Sequence, residues 1–351
     1  MKVKTKELDE ALSKLLLVAE KNMLDPMTSI VSLFIVDNKL IACATDKSNT
    51  LYFKLDCEDI DNKLSISVNI TSFAKLIHSI STDTVELKVE KNVLKVKGNG
   101  NYKFPSIVDG KGNNIMIGDK RLKSKDVVAK VESSTIKSIK SCLSLSLAPN
   151  DFAVVEYKDY YVGGLNTLAT NTENASIVRH GILDNKDYKV STKTIDILAG
   201  LNEKFDLVHE GSLSSFRCDR CELLTRLELA SNYPDFQADL FVDVFDKPMT
   251  FSTRVNRNEL LATLGRCAIF TDGQIELDFS NKLSVSTSDS SVSEKVESSD
   301  SSDIKLTINL ATFTSYLKTL NDDDIFIELE ESEKLLKLSD SQIEHVLSSY
   351  S

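Results

Sequence analysis

The chain has no tryptophan, and among its 351 residues only 12 are glycine, 5 proline and 4 histidine. So little Gly and Pro excludes collagen-like and low-complexity disordered chains. No apolar run approaches the roughly 18 residues a membrane helix needs. The longest patch, Leu15-Leu16-Leu17-Val18-Ala19, reads as one face of a helix. The start, M-K-V-K-T-K-E-L-D-E, lacks the apolar centre of a secretion signal, so a cytoplasmic protein is expected. Catalytic signatures are missing too: no phosphate-binding G-x-x-x-x-G-K-[ST], no G-x-G-x-x-G after a strand, no H-E-x-x-H and no G-x-S-x-G elbow. His78, His180, His209 and His345 fall on separate predicted elements. A non-enzyme is expected, with no catalytic residue, cofactor or metal.

Six cysteines are scattered at 43, 57, 142, 218, 221 and 267. Without a secretion signal they read as reduced thiols rather than a disulfide framework. Cys218-Asp219-Arg220-Cys221 is a lone C-x-x-C. A redox pair or half a zinc site is one reading, but a zinc site needs two further ligands and no second C-x-x-C exists. The other reading, a β-hairpin whose two-residue turn is flanked by cysteines, is the favoured one.

What is present is repetition. T-D-T-V-E-L-K-V-E (82–90), N-E-K-F-D-L-V-H-E (202–210) and D-D-D-I-F-I-E-L-E (322–330) recur at an interval of 120, with Val85, Phe205 and Ile325 in the same place. That period is too long for a solenoid unit and matches a small domain. Three copies are expected, with boundaries near the Gly-, Asn- and Lys-rich stretch 108–126 and near Asp246-Lys247-Pro248, giving domains 1–124, 125–247 and 248–351. Hydrophobic content of 41% and charged content of 27% suit three soluble, separately cored units.

Each copy reads as helix, strands, helix, strands. Helices are predicted at 5–21, 70–80, 132–145, 191–201, 254–267 and 310–320, from apolar stripes such as Phe73, Leu76, Ile77 and Ile80. Asn69 and Asn309 are predicted caps, and Asn256 with Glu259 a capping box. Strands are predicted at 32–46, turning at Asp37-Asn38, at 85–97, turning at Lys91-Asn92, at 152–157, 160–165, 168–172, 205–226, 325–338 and 342–348. Gly163-Gly164 reads as a β-bulge, and the Ser- and acid-rich stretch 286–303 as exposed strand and loop.

The ordered set of local sequences, A-C-A-T-D (42–46), L-A-T-N-T (168–172), S-N-Y-P-D-F (231–236) and G-R-C-A-I-F (265–270), together with the triple repeat, resembles the bacterial β sliding clamp, the processivity subunit of DNA polymerase III. The resemblance covers essentially the whole chain. It implies an α+β fold of three repeated DNA-clamp domains, each with two helices packed on antiparallel sheets. It further implies a head-to-tail homodimer closing a ring around double-stranded DNA, with helices lining the hole. DNA polymerase and clamp loader would bind through short clamp-binding peptides in a pocket between domains two and three.

Charge fits that expectation. The chain carries 42 Lys and Arg against 53 Asp and Glu, a net −11, whereas the six predicted helices carry eleven basic and seven acidic residues. Basic helices in an acidic protein suit a cavity that attracts phosphate; that Lys and Arg are good helix formers anyway is the plainer explanation. The DNA-facing candidates are Lys21, Lys75, Lys137, Lys140, Lys193, Arg257, Arg266 and Lys318. By family position, Tyr102 and Phe104 would face Ile269 and Phe270 across the dimer contact, although Ile269 and Phe270 read equally well as core. The implied peptide pocket comprises Thr170, Ala175, Pro234, Leu240, Asn309, Val346 and Leu347. Here the sequence departs from the family: T-N-T-E-N (170–174) stands for the usual T-D-G-H-R, and S-S-Y-S (348–351) for the usual C-terminus. A shallower pocket, or a different peptide, is expected. Such divergence, with the acidic start of the first helix (Glu7, Asp9, Glu10), leaves open a clamp-like protein-interaction scaffold that does not encircle DNA.

Overall fold

The structure, a computed structural model, describes residues 1–20, 25–149, 151, 155–171, 173–226, 228–229, 244–330 and 334–348, the side chains of 155–156, 181–186 and 228–229 excepted. Lys21, Pro234 and Leu240 lie outside the described residues. Six α-helices and four antiparallel sheets are described: α1 (Thr5–Leu15), α2 (Ile70–Ser79), α3 (Ser133–Ser138), α4 (Thr192–Leu201), α5 (Arg257–Cys267) and α6 (Leu310–Thr319). The chain divides into two compact units, 1–133 with 196–227, and 134–195 with 228–351.

The repeat is visible in the strand register. Val85, Phe205 and Ile325 are each fully buried on the strand that follows the second helix of their copy. Each faces a valine on the strand leading into the first helix: Val3 opposite Val85, Val131 opposite Phe205, Val255 opposite Ile325. Three copies thus close a helix–strands–helix segment by the same pairing of its first and last strands. Asparagine caps recur as well. The side-chain oxygens of Asn69, Asn256 and Asn309 accept from the backbone N–H of Ser72, Glu259 and Thr312, at 3.0, 3.0 and 2.9 Å, satisfying N–H groups that a helix start leaves unpaired.

The first unit holds a five-stranded sheet, ending in the edge strand Asn101–Pro105, and an eight-stranded sheet running from Val127–Val131 to Ser65–Asn69. The hairpin turns at Asp37-Asn38 and Lys91-Asn92 have paired positive φ values (49° and 60°, 48° and 63°), the geometry a two-residue hairpin turn prefers. α1 buries Leu8, Leu12 and Leu15. At its end the Lys14 ammonium donates to the Gly200 carbonyl at 2.5 Å, a cation against the negative end of α4. A Cβ on Gly200 would lie 2.8 Å from Leu17 Cδ1, so a larger residue there would require the Leu17 side chain to move.

The second unit holds a seven-stranded sheet containing the long pair Tyr160–Thr170 and Asn174–Val190, and a four-stranded sheet of which Ser293–Val296 is an edge. The register of the long pair shifts on both sides of Gly164, whose φ is +55°; the expected bulge is there. The stretch 286–303 carries the exposed edge strand, anchored by fully buried Val296.

Four expectations differ. The helix expected at 5–21 ends at Leu15, where the N–H groups of Leu17 and Val18 turn to the carbonyls three residues back, of Lys14 and Leu15. The helix expected at 132–145 is regular only to Ser138, widens to a π turn at Ile139–Leu143 and tightens to 3-10 at Ser144–Ser146. The Ser141 and Ser144 hydroxyls donate back to the carbonyls of Ser138 and Ser141, and such back-bonding competes with helix continuation. Arg254 belongs to the strand Phe251–Asn256 rather than to a helix. Where a strand was expected at 152–157, Val155–Lys158 forms a 3-10 turn, residues 152–154 lying outside the described set.

Candidate functional site

Of the basic candidates, Lys75 on α2, Lys137 on α3 and Lys318 on α6 are exposed and have no ion pair among the described residues. Lys140 is exposed one turn beyond Lys137, opposite buried Ile136, Ile139 and Leu143. Lys193 is half-buried near the start of α4. The two arginines are otherwise engaged. Arg257 points its guanidinium at the Leu320 carbonyl, where it caps the C-terminal end of α6. Arg266 grips Glu294 through Nε (2.8 Å) and Nη2, and reaches Thr263 Oγ1 at 3.1 Å. The Arg266 hydrogen bond holds the Glu294 carboxyl below its ordinary range.

Two of the three acids at the start of α1, Glu7 and Glu10, are matched by cations. Glu7 pairs with Lys4 at 2.9 Å, Asp9 meets His78 Nδ1 at 3.1 Å and Glu10 holds Arg220 at 3.0 Å. Its negative charge is therefore partly compensated within the first unit.

Ile269 and Phe270, in the turn after α5, are 78% and 58% exposed, so of the two sequence readings the core one is excluded. Tyr102 and Phe104 lie half-buried on one face of the edge strand Asn101–Pro105. Phe104 meets Phe73 of α2 edge-on, with centroids 5.5 Å apart. An edge strand offers unpaired backbone groups to a further strand, and exposed apolar side chains are what an interface core requires.

The implied peptide pocket is partly assembled. Thr170, Ala175 and Val346 are register neighbours on one face of the seven-stranded sheet. Strand alternation puts Leu347 on the opposite face, beside buried His345, which corrects its grouping with Val346. Asn309 lies in the four-stranded sheet, with its side chain occupied in capping α6. Sequence reading missed Phe245 and Tyr161, which pack with Leu168, Ala175, Ile177 and Val346 in one buried cluster. Val244-Phe245 is an apolar pair beside a predicted boundary, and its value as a cover for the sheet face was the available signal.

Cys218 and Cys221 flank the turn between the strands Leu213–Arg217 and Cys221–Arg226, as the hairpin reading expected. Among the described residues no cluster of three or more His, Cys, Asp or Glu could hold a metal, and no helix is long and apolar enough to cross a membrane.

No protein-family model and no curated protein matches the chain. Solved structures do. The DNA polymerase III subunit beta from Pseudomonas aeruginosa matches with a TM-score of 0.80 at 17% identity, over 99% of this chain and 98% of that one. The beta subunit from Thermotoga maritima gives 0.78 at 13% identity, over 99% and 98%. The Helicobacter pylori beta clamp in complex with 3,4-difluorobenzamide gives 0.77 at 16% identity, over 99% of both chains. The chain has the fold of these beta clamps from end to end.

Proposed function

We propose that this protein is a DNA sliding clamp, a non-catalytic processivity factor that encircles duplex DNA and tethers a replicative polymerase. The likeness to beta clamps over the entire chain is the observation that carries the reading. The threefold register Val3–Val85, Val131–Phe205 and Val255–Ile325 supports three equivalent clamp domains, 1–124, 125–247 and 248–351.

In this reading two copies join head to tail. The edge strand carrying Tyr102 and Phe104 meets the exposed pair Ile269 and Phe270 of the other copy, and a contact between unlike patches closes a ring when its rotation allows. DNA is held by Lys75, Lys137, Lys140, Lys193 and Lys318. Their ammonium groups meet phosphates, which position a duplex without reading its sequence, as sliding requires. Arg257 and Arg266 serve structure instead: the Arg257 guanidinium caps α6 at the Leu320 carbonyl, and that of Arg266 is held by Glu294. Polymerase and loader peptides dock over the sheet face of Thr170, Ala175 and Val346, in competition with Phe245. The protein works in the cytoplasm, beside DNA.

Retention on DNA tests this. Protein loaded onto circular duplex should remain through a gel-filtration column, and linearising the circle should release it. Equal retention on both forms would overturn the ring and leave a surface-binding scaffold; so would a strict monomer at micromolar concentration.

A further inference from the structure

The hairpin turn at Cys218–Cys221 has the organisation of a reactive site. The two sulfurs lie 3.1 Å apart, and the Cys218 N–H donates to the Cys221 carbonyl at 2.9 Å. A disulfide bond, about 2.05 Å long, needs them to close by roughly 1 Å. The two thiols differ in access. Cys218 is half-buried at the mouth of an open concavity lined by Glu203, Lys204, Asp206, Arg217, Asp219 and Arg220, whereas Cys221 is buried beneath it. Backbone N–H groups of Cys221 and Arg220 also converge on the Cys218 sulfur, a small anion-holding turn.

We propose that Cys218 and Cys221 form an oxidisable dithiol, Cys218 attacking and Cys221 resolving, which takes small disulfides as oxidant and chelates trivalent arsenicals. The Cys218 thiolate attacks one sulfur of a low-molecular-weight disulfide, forming a mixed disulfide and releasing a thiolate. Cys221 then gives its proton to that thiolate, and its sulfur attacks the Cys218 sulfur. The intrachain disulfide forms, and the second small thiolate leaves to take up the proton that Cys218 gave to solvent. Two electrons pass from the protein dithiol to the small disulfide, which ends as two thiols.

The electrostatics agree with this division. The Cys221 thiol hydrogen bond, then the turn N–H groups, lower Cys218 to about 6 against the opposing effect of burial. The same contact, then burial, pushes Cys221 up. A thiolate is the nucleophile at ordinary pH, so attack begins at Cys218. Arg220, on the same turn, binds Glu10 of α1 through both terminal nitrogens (3.2 and 3.0 Å). The site is independent of the clamp reading and stands or falls by itself.

The test uses the full-length reduced protein, native, exposed to glutathione disulfide at neutral pH, then alkylated and peptide-mapped. The expected product has lost two of its six thiols together and two hydrogens in mass, with the bond between 218 and 221, while half-buried Cys57 reacts more slowly. Cys221→Ser should stop as a glutathione adduct on Cys218, and Cys218→Ser should gain no adduct at 221. Phenylarsine oxide should bind the wild type one to one and neither variant. Wild-type protein that stops at the mixed disulfide, or in which Cys218 reacts no faster than Cys57, would overturn the proposal without reference to any variant's folding.

Discussion

The Ser176 hydroxyl lies 2.6 Å from Nδ1 of His345, and the other ring nitrogen of that histidine lies 2.7 Å from Thr319 Oγ1. His345 has no exposed surface. Ser146, Ser176, Tyr316 and Thr319 surround it, with the Tyr316 ring edge-on at 4.9 Å and the Ser146 and Ser176 hydroxyls 2.6 Å apart. A buried polar network of this kind is stabilising only while every member has its partner.

Burial pushes His345 down to about 3. Its folded pKa therefore lies below the ordinary value of about 6.5, and the unfolded chain takes up the proton first. Stability from this group is complete above about pH 6.5 and falls as pH drops from there toward 3, by up to about 1.4 kcal/mol per unit. Urea midpoints at pH 7 and pH 5 should differ by the equivalent of about 2 kcal/mol from this residue. His345→Asn should be weaker at pH 7 yet show a flatter dependence. A wild-type midpoint unchanged between the two pH values would contradict the assignment.

Lys137 and Lys318 have no competing ion pair among the described residues. Replacing either with alanine should leave thermal stability within about 0.5 kcal/mol and reduce the log–log salt slope of DNA binding by about 0.9. An unchanged slope for both would remove them from the DNA face.

Arg257→Ala should behave in the opposite way. The guanidinium satisfies the Leu320 carbonyl, so its loss should cost about 1.5–3 kcal/mol with little change in salt slope. Chemical denaturation alongside DNA titration separates the two effects.

Ile269→Asp with Phe270→Asp places charge on side chains that are 78% and 58% exposed. The fold should be retained, and light scattering should read one chain instead of two. Phe104→Ala is expected to cost stability as well, because Phe104 packs on Phe73. A double mutant still dimeric at micromolar concentration would exclude this face.

The caps give the most local test. Asn69→Ala, Asn256→Ala and Asn309→Ala each remove one side-chain acceptor at a helix start and should cost about 1 kcal/mol apiece, read from denaturant midpoints. An Asn69 loss unlike the Asn309 loss would mean that the second helices of the first and third copies are not energetically alike.

Much of the fold was legible because its signals are local. Asn69, Asn256 and Asn309 announce helix starts, Asp37-Asn38 and Lys91-Asn92 announce turns, and Val85, Phe205 and Ile325 announce the period. The serine-rich end of the helix at 132–145 was not, since apolar spacing at Ile136, Ile139 and Leu143 suits a widened turn as well as a regular one. The site was less legible than the fold. Charge on Arg257 and Arg266 is plain in the sequence, but their partners Leu320 and Glu294 are tens of residues away. Val346 and Leu347 are adjacent on a predicted strand, so alternation alone already put them on opposite faces; which face meets Phe245 is what only the fold could show.

The pairing of Val3 with Val85, repeated as Val131 with Phe205 and Val255 with Ile325, also sets a schedule for synthesis. Each clasp joins strands roughly 70 to 80 residues apart, a long closure that slows folding. A nascent chain cannot fasten its first module until the ribosome has released the second helix and the strand beyond it. Until then its opening strand has only the short pairing of Lys2 and Val3 with Glu58 and Cys57, and its other edge stays adhesive at the most crowded moment of its life.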